Sequence, residues 1–505
     1  MTAPRPLENA VVPSSEPLAM DDVRVDPMVA LRVAGHVAVR REMLPFVEWG
    51  GRVYVACGDV GDEPGIGQIQ RLFDKPVAPV LAEMDSLRRA LTRIYGTGRM
   101  PGVAPGLGRS PVRAVEGEAM DAPRLSEDLI HTAILRQASD IHLDPGPEEM
   151  RVRLRVDGAL EEIQRIPPAL AAGLTNRFKV LAQMDIAEKR APQDGAFRHA
   201  HGEGRQVDIR AATLPTKWGE RVTLRLLGLQ TGVLTLERLG MDRTQLDVFG
   251  AALRQPHGMI LLTGPTGSGK STTLYAGIRQ LMGMEALNII TVEDPVEYDI
   301  PGVSQVAVDS ADKTSFGKAL RSILRHDPDV VMIGEIRDGE TADVAVKASL
   351  TGHLVFSSLH TNTAAGAVTR LGDMGVERYL IASTLRLSIA QRLVRRLCSR
   401  CRVAAVLTES EAGVLGRPGA AGQPVWSRGS CLYCGGRGLT GRLALFEFLA
   451  LDDSWSRVVN EGGQEVELLA EMKRRGIPAL LDDGLNKLTL GLTPFEEVRN
   501  AVACW

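Results

Sequence analysis

The chain has 505 residues, 44% of them hydrophobic, enough for about three domains with substantial cores. A net charge of −3 and 4% aromatic residues give no overall pull toward nucleic acid or anionic lipid and no obvious base-stacking surface, and six cysteines are too few for a disulfide framework. The opening MTAPRPLENAVVPSSEPLAMDD lacks the basic start and apolar run of a signal peptide, and no stretch approaches ~18 apolar residues, so the expectation is a soluble protein of a reducing compartment that meets a membrane only through partners.

Residues 1–28, rich in Pro, Ser and acids, read as a flexible tail. Residues 29–97 read as a small α/β unit, with a strand and turn in GRVYVACGDV (51–60) and an amphipathic helix in VLAEMDSLRRALTRIYG (80–96) stopped by Gly96. The Gly/Pro-dense 98–124 is a linker. Residues 125–238 begin with a helix, LSEDLIHTAILRQA, for which Ser126 is the expected N-cap. RVRLRVDGAL (151–160) then alternates charged and apolar residues, the mark of a strand with one wet and one dry face, and the pattern returns in QVDIRAATL (206–214) and RVTLRLLGL (221–229). This predicts an α+β domain with an Arg-bearing sheet face.

Over 239–395 the pattern is apolar strand, turn, helix, repeated, which predicts a parallel sheet covered on both faces. GMILLTGPTGSGKSTTLYAGIRQLM (258–282) carries G-x-x-x-x-G-K-S between a strand (259–263) and a helix starting near Gly269. In such a loop Gly264, Pro265, Thr266, Gly267, Ser268, Gly269, Lys270, Ser271 and Thr272 surround phosphate. The glycines turn backbone N–H groups inward, Lys270 reaches the terminal phosphates, and the Ser271 hydroxyl binds magnesium. IITVEDPVEY (289–298) is a second buried strand that ends in Glu293 and Asp294 before Pro295, and VVMIGEIRD (330–338) places Glu335 at the end of a third. Acids at neighbouring strand ends beside a phosphate loop suit magnesium positioning and activation of an attacking water; taken singly, they would read as solvated loop acids.

KALRSILRHDPD (318–329) predicts a helix with an apolar stripe of Leu320, Ile323 and Leu324, and with Arg321 and Arg325 together on another face. That face suits phosphate or a charged surface pair. SLTGHLVFSSLHTNTA (349–364) sets His353 and His360 on either side of a short apolar strand, as candidates to contact the terminal phosphate or a neighbouring subunit. In 396–445, CSRC and CLYC place Cys398, Cys401, Cys431 and Cys434 at the spacing of a closed, structural tetrahedral zinc site; a redox pair or unpaired thiols are the alternatives. Cys57 and Cys504 stand alone as inert thiols, and 446–505 reads as a helical segment.

From about 125 to 450 the chain closely resembles the secretion ATPases of type II secretion and type IV pilus systems. The resemblance rests on ASDIHLDP (138–145), RVRLRVDG (151–158), TLPTKWGERVTLRLL (213–227), GPTGSGKSTTLY (264–275), TVEDPVEY, LRSILRHDPDVVMIGEIRD (320–338), SLTGHLVFSSLHTN and the four cysteines. GAVTRLGDMGVERYLIASTL (366–385) leans toward the type II secretion members. The resemblance implies a RecA-like P-loop NTPase domain preceded by an α+β (PAS-like) domain, a small N-terminal α/β adaptor domain and a tetracysteine zinc insert. It makes Glu335 the catalytic acid of an atypical Walker B strand, puts Glu293 and Asp294 in an aspartate box and His353 and His360 in a histidine box, and gives Arg210, Arg225, Arg321, Arg325 and Arg337 roles in sensing or clamping ATP. It further implies a homo-hexamer on the cytoplasmic face of the inner membrane, docked on secretion platform proteins through its N-terminal domain. Ser358 stands where threonine is common, and the first cysteine pair encloses Ser-Arg where Pro-Asp is more usual. A pilus motor, a nucleic-acid-translocating motor and a nucleotide-gated binding module without turnover remain as alternatives at this level.

Overall fold

Alternating sequence in the first half and continuous apolar runs in the second give two kinds of sheet. The computed structural model describes residues 17–96, 121–201, 205–228, 235–284, 286–308, 316–461 and 464–502. It divides into two units: Met1–Thr231 with Cys398–Val403 and Arg428–Thr440, and Gly232–Leu397 with Ala404–Ser427 and Gly441–Trp505. The expected cysteine insert is therefore shared between units. The expected linker lies almost wholly outside the described residues, as does Cys504.

The first unit opens with a three-stranded sheet of β1 (Met43–Trp49), β2 (Arg52–Cys57) and β3 (Val77–Leu81), with β2 antiparallel to β1 and parallel to β3. The helix Met84–Tyr95 packs on it and ends at Gly96, whose φ of +74° suits glycine. Residues 1–16 lie outside the described set, but the rest of the expected tail is ordered core. Leu18 and Met20 are fully buried, and Leu18 bridges to Ala82 beside β3. The polar composition of this stretch hid apolar side chains whose partners lie far along the chain. Cys57 is buried, and burial raises its thiol pKa.

A six-stranded antiparallel sheet follows: β4 (Asp140–Pro145), β5 (Met150–Val156), β6 (Ala159–Ile166), β7 (Gln193–His201), β8 (Arg205–Thr216) and β9 (Gly219–Leu227), in the order β6-β5-β4-β9-β8-β7. Its dry face packs against the helices Ala122–Leu135 and Pro168–Leu181. Two expectations need correcting. The strand predicted over 151–160 breaks at Asp157–Gly158, both at positive φ, into the hairpin β5–β6. Ser126 lies inside its helix, which starts at Ala122 after Asp121, and its hydroxyl donates to the Pro123 carbonyl.

The second unit is built on a seven-stranded sheet. Its strands are β10 (Gly258–Thr263), β11 (Ile289–Glu293), β12 (Ser304–Ala307), β13 (Val330–Ile333), β14 (Leu354–Leu359) and β15 (Leu385–Leu397), then, after the short pair β16 (Val403–Val406) and β17 (Pro424–Ser427), β18 (Leu439–Ala450). The order is β12-β11-β13-β14-β10-β15-β18. The strands from β12 to β15 in this order pair in parallel. Alternate residues enter two separate cores: Met259 and Leu261 one, Ile260 and Leu262 the other. This is why these strands read as unbroken apolar runs. β18 runs through the point where a purely helical segment was expected to begin; the helices follow it. No helix among the described residues is long and apolar enough to cross a membrane.

Candidate active site

β10 is buried along its whole length and delivers the chain to Gly264 at the C-terminal edge of the sheet. Gly264, Gly267 and Gly269 hold φ values of +147°, +78° and +88°, which side-chain-bearing residues rarely adopt, and the helix Lys270–Met282 starts directly behind them. A β-carbon on Gly264 would lie 2.6 Å from the Gln391 carbonyl oxygen and 3.2 Å from the Arg392 guanidinium; one on Gly269 would lie 2.8 Å from the Gln391 amide. The loop is thus pressed onto β15. Gln391 fixes it there, donating to the Ser268 carbonyl (2.8 Å) and accepting from the Thr273 hydroxyl (2.8 Å).

Lys270 is buried and donates to the carbonyls of Gly264 (2.8 Å) and Pro265 (3.1 Å). Burial, helped by the Arg392 charge and opposed by Glu335, lowers its pKa to about 8. The Ser268 hydroxyl is buried with no hydrogen-bond partner among the described residues. An orphaned donor, a buried ammonium and a helix N-terminus at one glycine-rich loop fit a bound phosphate chain. Ser271 is exposed at the start of the helix, where its hydroxyl would hold magnesium.

Glu335 stands two residues beyond β13. Gly334, between strand and acid, lies against β11: a β-carbon there would be 3.4 Å from the Glu293 Cα, an ordinary contact. The Ser358 hydroxyl donates to the Gly334 carbonyl, 2.8 Å away, so serine serves where threonine is common. Glu335 is hydrogen-bonded to Arg337 and lies 3.0 Å from His360 Nε2, at the C-terminal end of β14. Burial pushes its pKa up, but Arg337 and His360 outweigh that and hold it below the ordinary carboxylate value. The Asp294 charge also acts on Arg337. Lys270, Glu335, Arg337, His360 and Asp294 therefore share one electrostatic neighbourhood at this edge.

Glu293, the last residue of β11, is held differently. It is 3% exposed, and its carboxylate accepts from Tyr275, from Thr291 (2.6 Å) and from Gln305 (3.2 Å). Arg321 pairs with Glu340 at 2.8 Å, both half-exposed, and Arg325 donates to the Arg321 carbonyl just past the helix Phe316–Ile323.

His353 is placed apart from the phosphate loop of its own chain. It precedes β14, with Nδ1 2.9 Å from the Ala348 carbonyl, and its own carbonyl accepts from Gly258 at the start of β10. That is the N-terminal edge of a parallel sheet, roughly 20 Å from His360 at ~3.3 Å per residue. In the first unit, Arg225 pairs with the buried Asp140 at 3.0 Å, and Arg210 is its cross-strand partner, exposed on the same face.

Two residues of the site went unread in the sequence: Gln391 and Arg392. Arg392 is 6% exposed and donates to Asn362 (3.0 Å), in the loop beyond His360. The same loop is held by Ser388, donating to the Ala364 carbonyl (2.8 Å), and by Glu447, accepting from the Ala364 N–H (2.8 Å). Their signal was a polar pair inside an apolar strand, a costly place for either unless a partner waits.

Among the described residues, Cys398, Cys401, Cys431 and Cys434 form the metal-type cluster. Sulfur–sulfur distances are 3.8 Å for 398–431, 3.8 Å for 401–434 and 3.7 Å for 431–434. A tetrahedron with metal–sulfur bonds of ~2.3 Å has edges of ~3.8 Å, whereas a disulfide needs ~2.05 Å. The four thiols fit zinc, and the Gly438 N–H donates to the Cys434 sulfur at 3.1 Å, as outer-sphere donors of such sites do.

The sequence matches the family described as Type II/IV secretion system protein over residues 116–500, and the MshEN domain over 14–101. It is 46% identical over 380 residues to type II secretion system protein E of Aeromonas hydrophila, covering 75% of each chain. It is 48% identical over 377 residues to type II secretion system protein HxcR of Pseudomonas aeruginosa, covering 74% of this chain and 76% of that one. It is 38% identical over 501 residues to the type IV pilus assembly ATPase PilB of Myxococcus xanthus, covering 95% and 87%. Among solved structures it is similar to the pilus retraction motor PilT with bound ADP (TM-score 0.52, 27% identity, 74% of this chain and 96% of that one). The Legionella pneumophila ATPase DotB shares its fold (TM-score 0.57, 22% identity, 77% and 98%).

Proposed function

The chain belongs to the Type II/IV secretion system protein family, and from that premise we propose that it is a cytoplasmic, hexameric ATPase that powers type II secretion. In this reading it drives pseudopilus assembly and the export of folded proteins across the outer membrane. The observation that carries it is the meeting of a formed phosphate loop with Glu335, itself held by Arg337 and His360 at the adjoining strand ends.

Backbone N–H groups of 264–269 and the helix N-terminus receive the phosphates, and Lys270 exchanges its two carbonyl partners for phosphate oxygens. The Ser271 hydroxyl would hold magnesium, which when bound would supply charge neutralisation for the phosphates. Glu335, kept ionised by its two basic neighbours, takes the proton of the attacking water. Glu293 and Asp294 act as the accompanying acids, and Arg321, Arg325 and Arg337 stabilise phosphate charge. The roles that the resemblance gives Arg210, Arg225 and, toward a neighbouring subunit, His353 belong to the same proposal. Zinc on the four cysteines is structural, and the N-terminal module docks on platform proteins of the inner membrane.

The test is magnesium-dependent phosphate release from ATP, followed on the same samples as particle size with and without an ATP analogue. The reading expects turnover in a hexameric fraction; a hexamer without turnover would overturn it. One observation favours a second reading, a type IV pilus motor: the alignment with PilB runs through 95% of the chain. Copurification with a pseudopilus platform or with a pilus platform separates the two.

A further inference from the structure

The second cysteine pair encloses Leu432 and Tyr433, and Leu432 is fully buried in the core of the N-terminal module. Tyr433 packs on the same core, and its carbonyl accepts from the Arg24 N–H at 2.9 Å. The glycine turn behind them lies on β1: a β-carbon on Gly435 would be 3.5 Å from Val47, and one on Gly436 2.7 Å from the Trp49 ring. From the first cysteine pair, Arg400 covers the Tyr433 ring at 4.8 Å and reaches Asp22 at 3.2 Å. Ion pairs extend this junction to the six-stranded domain. Arg437 bonds Glu161 (2.9 Å), Arg136 joins Glu161 (3.4 Å) to Asp26 (2.6 Å), and Arg24 joins Asp157 (3.2 Å).

We propose that the metal-closed cysteine knuckle is the docking platform on which the N-terminal module (17–96) of the same chain is seated. No helix or strand lies between Ser427 and Leu439, so beyond short turn bonds such as that from the Gly435 N–H to the Leu432 carbonyl (3.2 Å), the clustered cysteine side chains are what hold the Leu432 and Tyr433 backbone. A leucine presented this way enters a core formed by Leu18, Met20, Phe46 and Val55. The occupant is identified by what it contributes: an apolar socket, a backbone N–H from Arg24 and a carboxylate from Asp22. Metal binding at the knuckle thereby sets whether the module is seated or released, a role separate from nucleotide hydrolysis.

Hydrogen exchange on the full chain tests this with zinc bound, with zinc stripped by a chelator under reducing conditions, and in Leu432→Asp with zinc content measured. Stripping and Leu432→Asp should each speed exchange in residues 18–25 and 43–57 at least about tenfold, with the helix 270–282 and the strand 150–156 unchanged. Unchanged exchange in 18–25 and 43–57 overturns the proposal. So does acceleration confined to the cysteine segments, or spread evenly over the chain. If Leu432→Asp costs zinc, Tyr433→Ala with zinc retained decides: faster exchange over 20–26 supports seating on the knuckle, and no change overturns it.

Discussion

Glu293 and Glu335 stand at the ends of neighbouring strands of one sheet and are held by opposite kinds of partner. Glu293 is buried and accepts from neutral donors, two hydroxyls and an amide. Glu335 has 18% of its side chain exposed and is held by an arginine and a histidine. Neutral donors around a buried carboxylate fix its position and make it part of the packing. An arginine and a histidine around a partly exposed one keep it ionised while leaving it open to water and substrate. An acid at the end of an apolar run is thus two different things, and the donor set decides which.

The sharpest break falls on Glu335. Glu335→Gln should lower turnover by about 10²–10⁴-fold while an ATP analogue binds within about threefold of normal, measured by phosphate release and equilibrium titration. Near-normal turnover would remove Glu335 from proton transfer. Next comes pH. Lys270 loses its proton at about 8 in the free protein, so affinity for the analogue should fall as pH rises through that value, approaching about tenfold per unit. A flat profile from pH 7 to 9 would show that its ammonium does not meet phosphate.

For Glu335 the sign is opposite. Its pKa is depressed, so its pairing contributes stability above the ordinary carboxylate value of 4.5, lost as pH falls through the lowered one. Acid titration of Glu335→Gln should therefore show a weaker loss of stability below pH 4.5 than the parent. Glu293→Gln replaces an acceptor with a donor amid donors, so it should cost about 1–3 kcal/mol of stability, read as a lower Tm, with a smaller loss of turnover than Glu335→Gln. Equal losses of turnover with unchanged Tm would erase the distinction. Tyr275→Phe, which removes one donor from Glu293, should be the mildest, about 1 kcal/mol.

The phosphate loop was legible because its glycines and lysine sit at fixed offsets between a strand and a helix. The cysteines were legible by spacing, and the parallel sheet by its unbroken apolar runs. What stayed hidden depended on distant partners or on direction. His353 and His360 flank a short strand in the sequence, but the direction that strand takes in the sheet, which brings only His360 to the phosphate-loop edge, is not written there. Gln391 acts on residues more than a hundred positions earlier, and Leu18 finds its socket beside Ala82. The Asp157–Gly158 turn was written plainly, but the regular alternation around it drew the eye across.

The Gln391 brace sets a lower limit on what can be cut away. A chain ending at Thr384 would keep the phosphate loop, all three acids and both histidines, yet lose β15 and with it the floor beneath Gly264 and Gly269. Every recognisable nucleotide motif would be present in a fragment unable to hold its loop in shape. The smallest nucleotide-binding piece of this protein therefore extends well past its last motif.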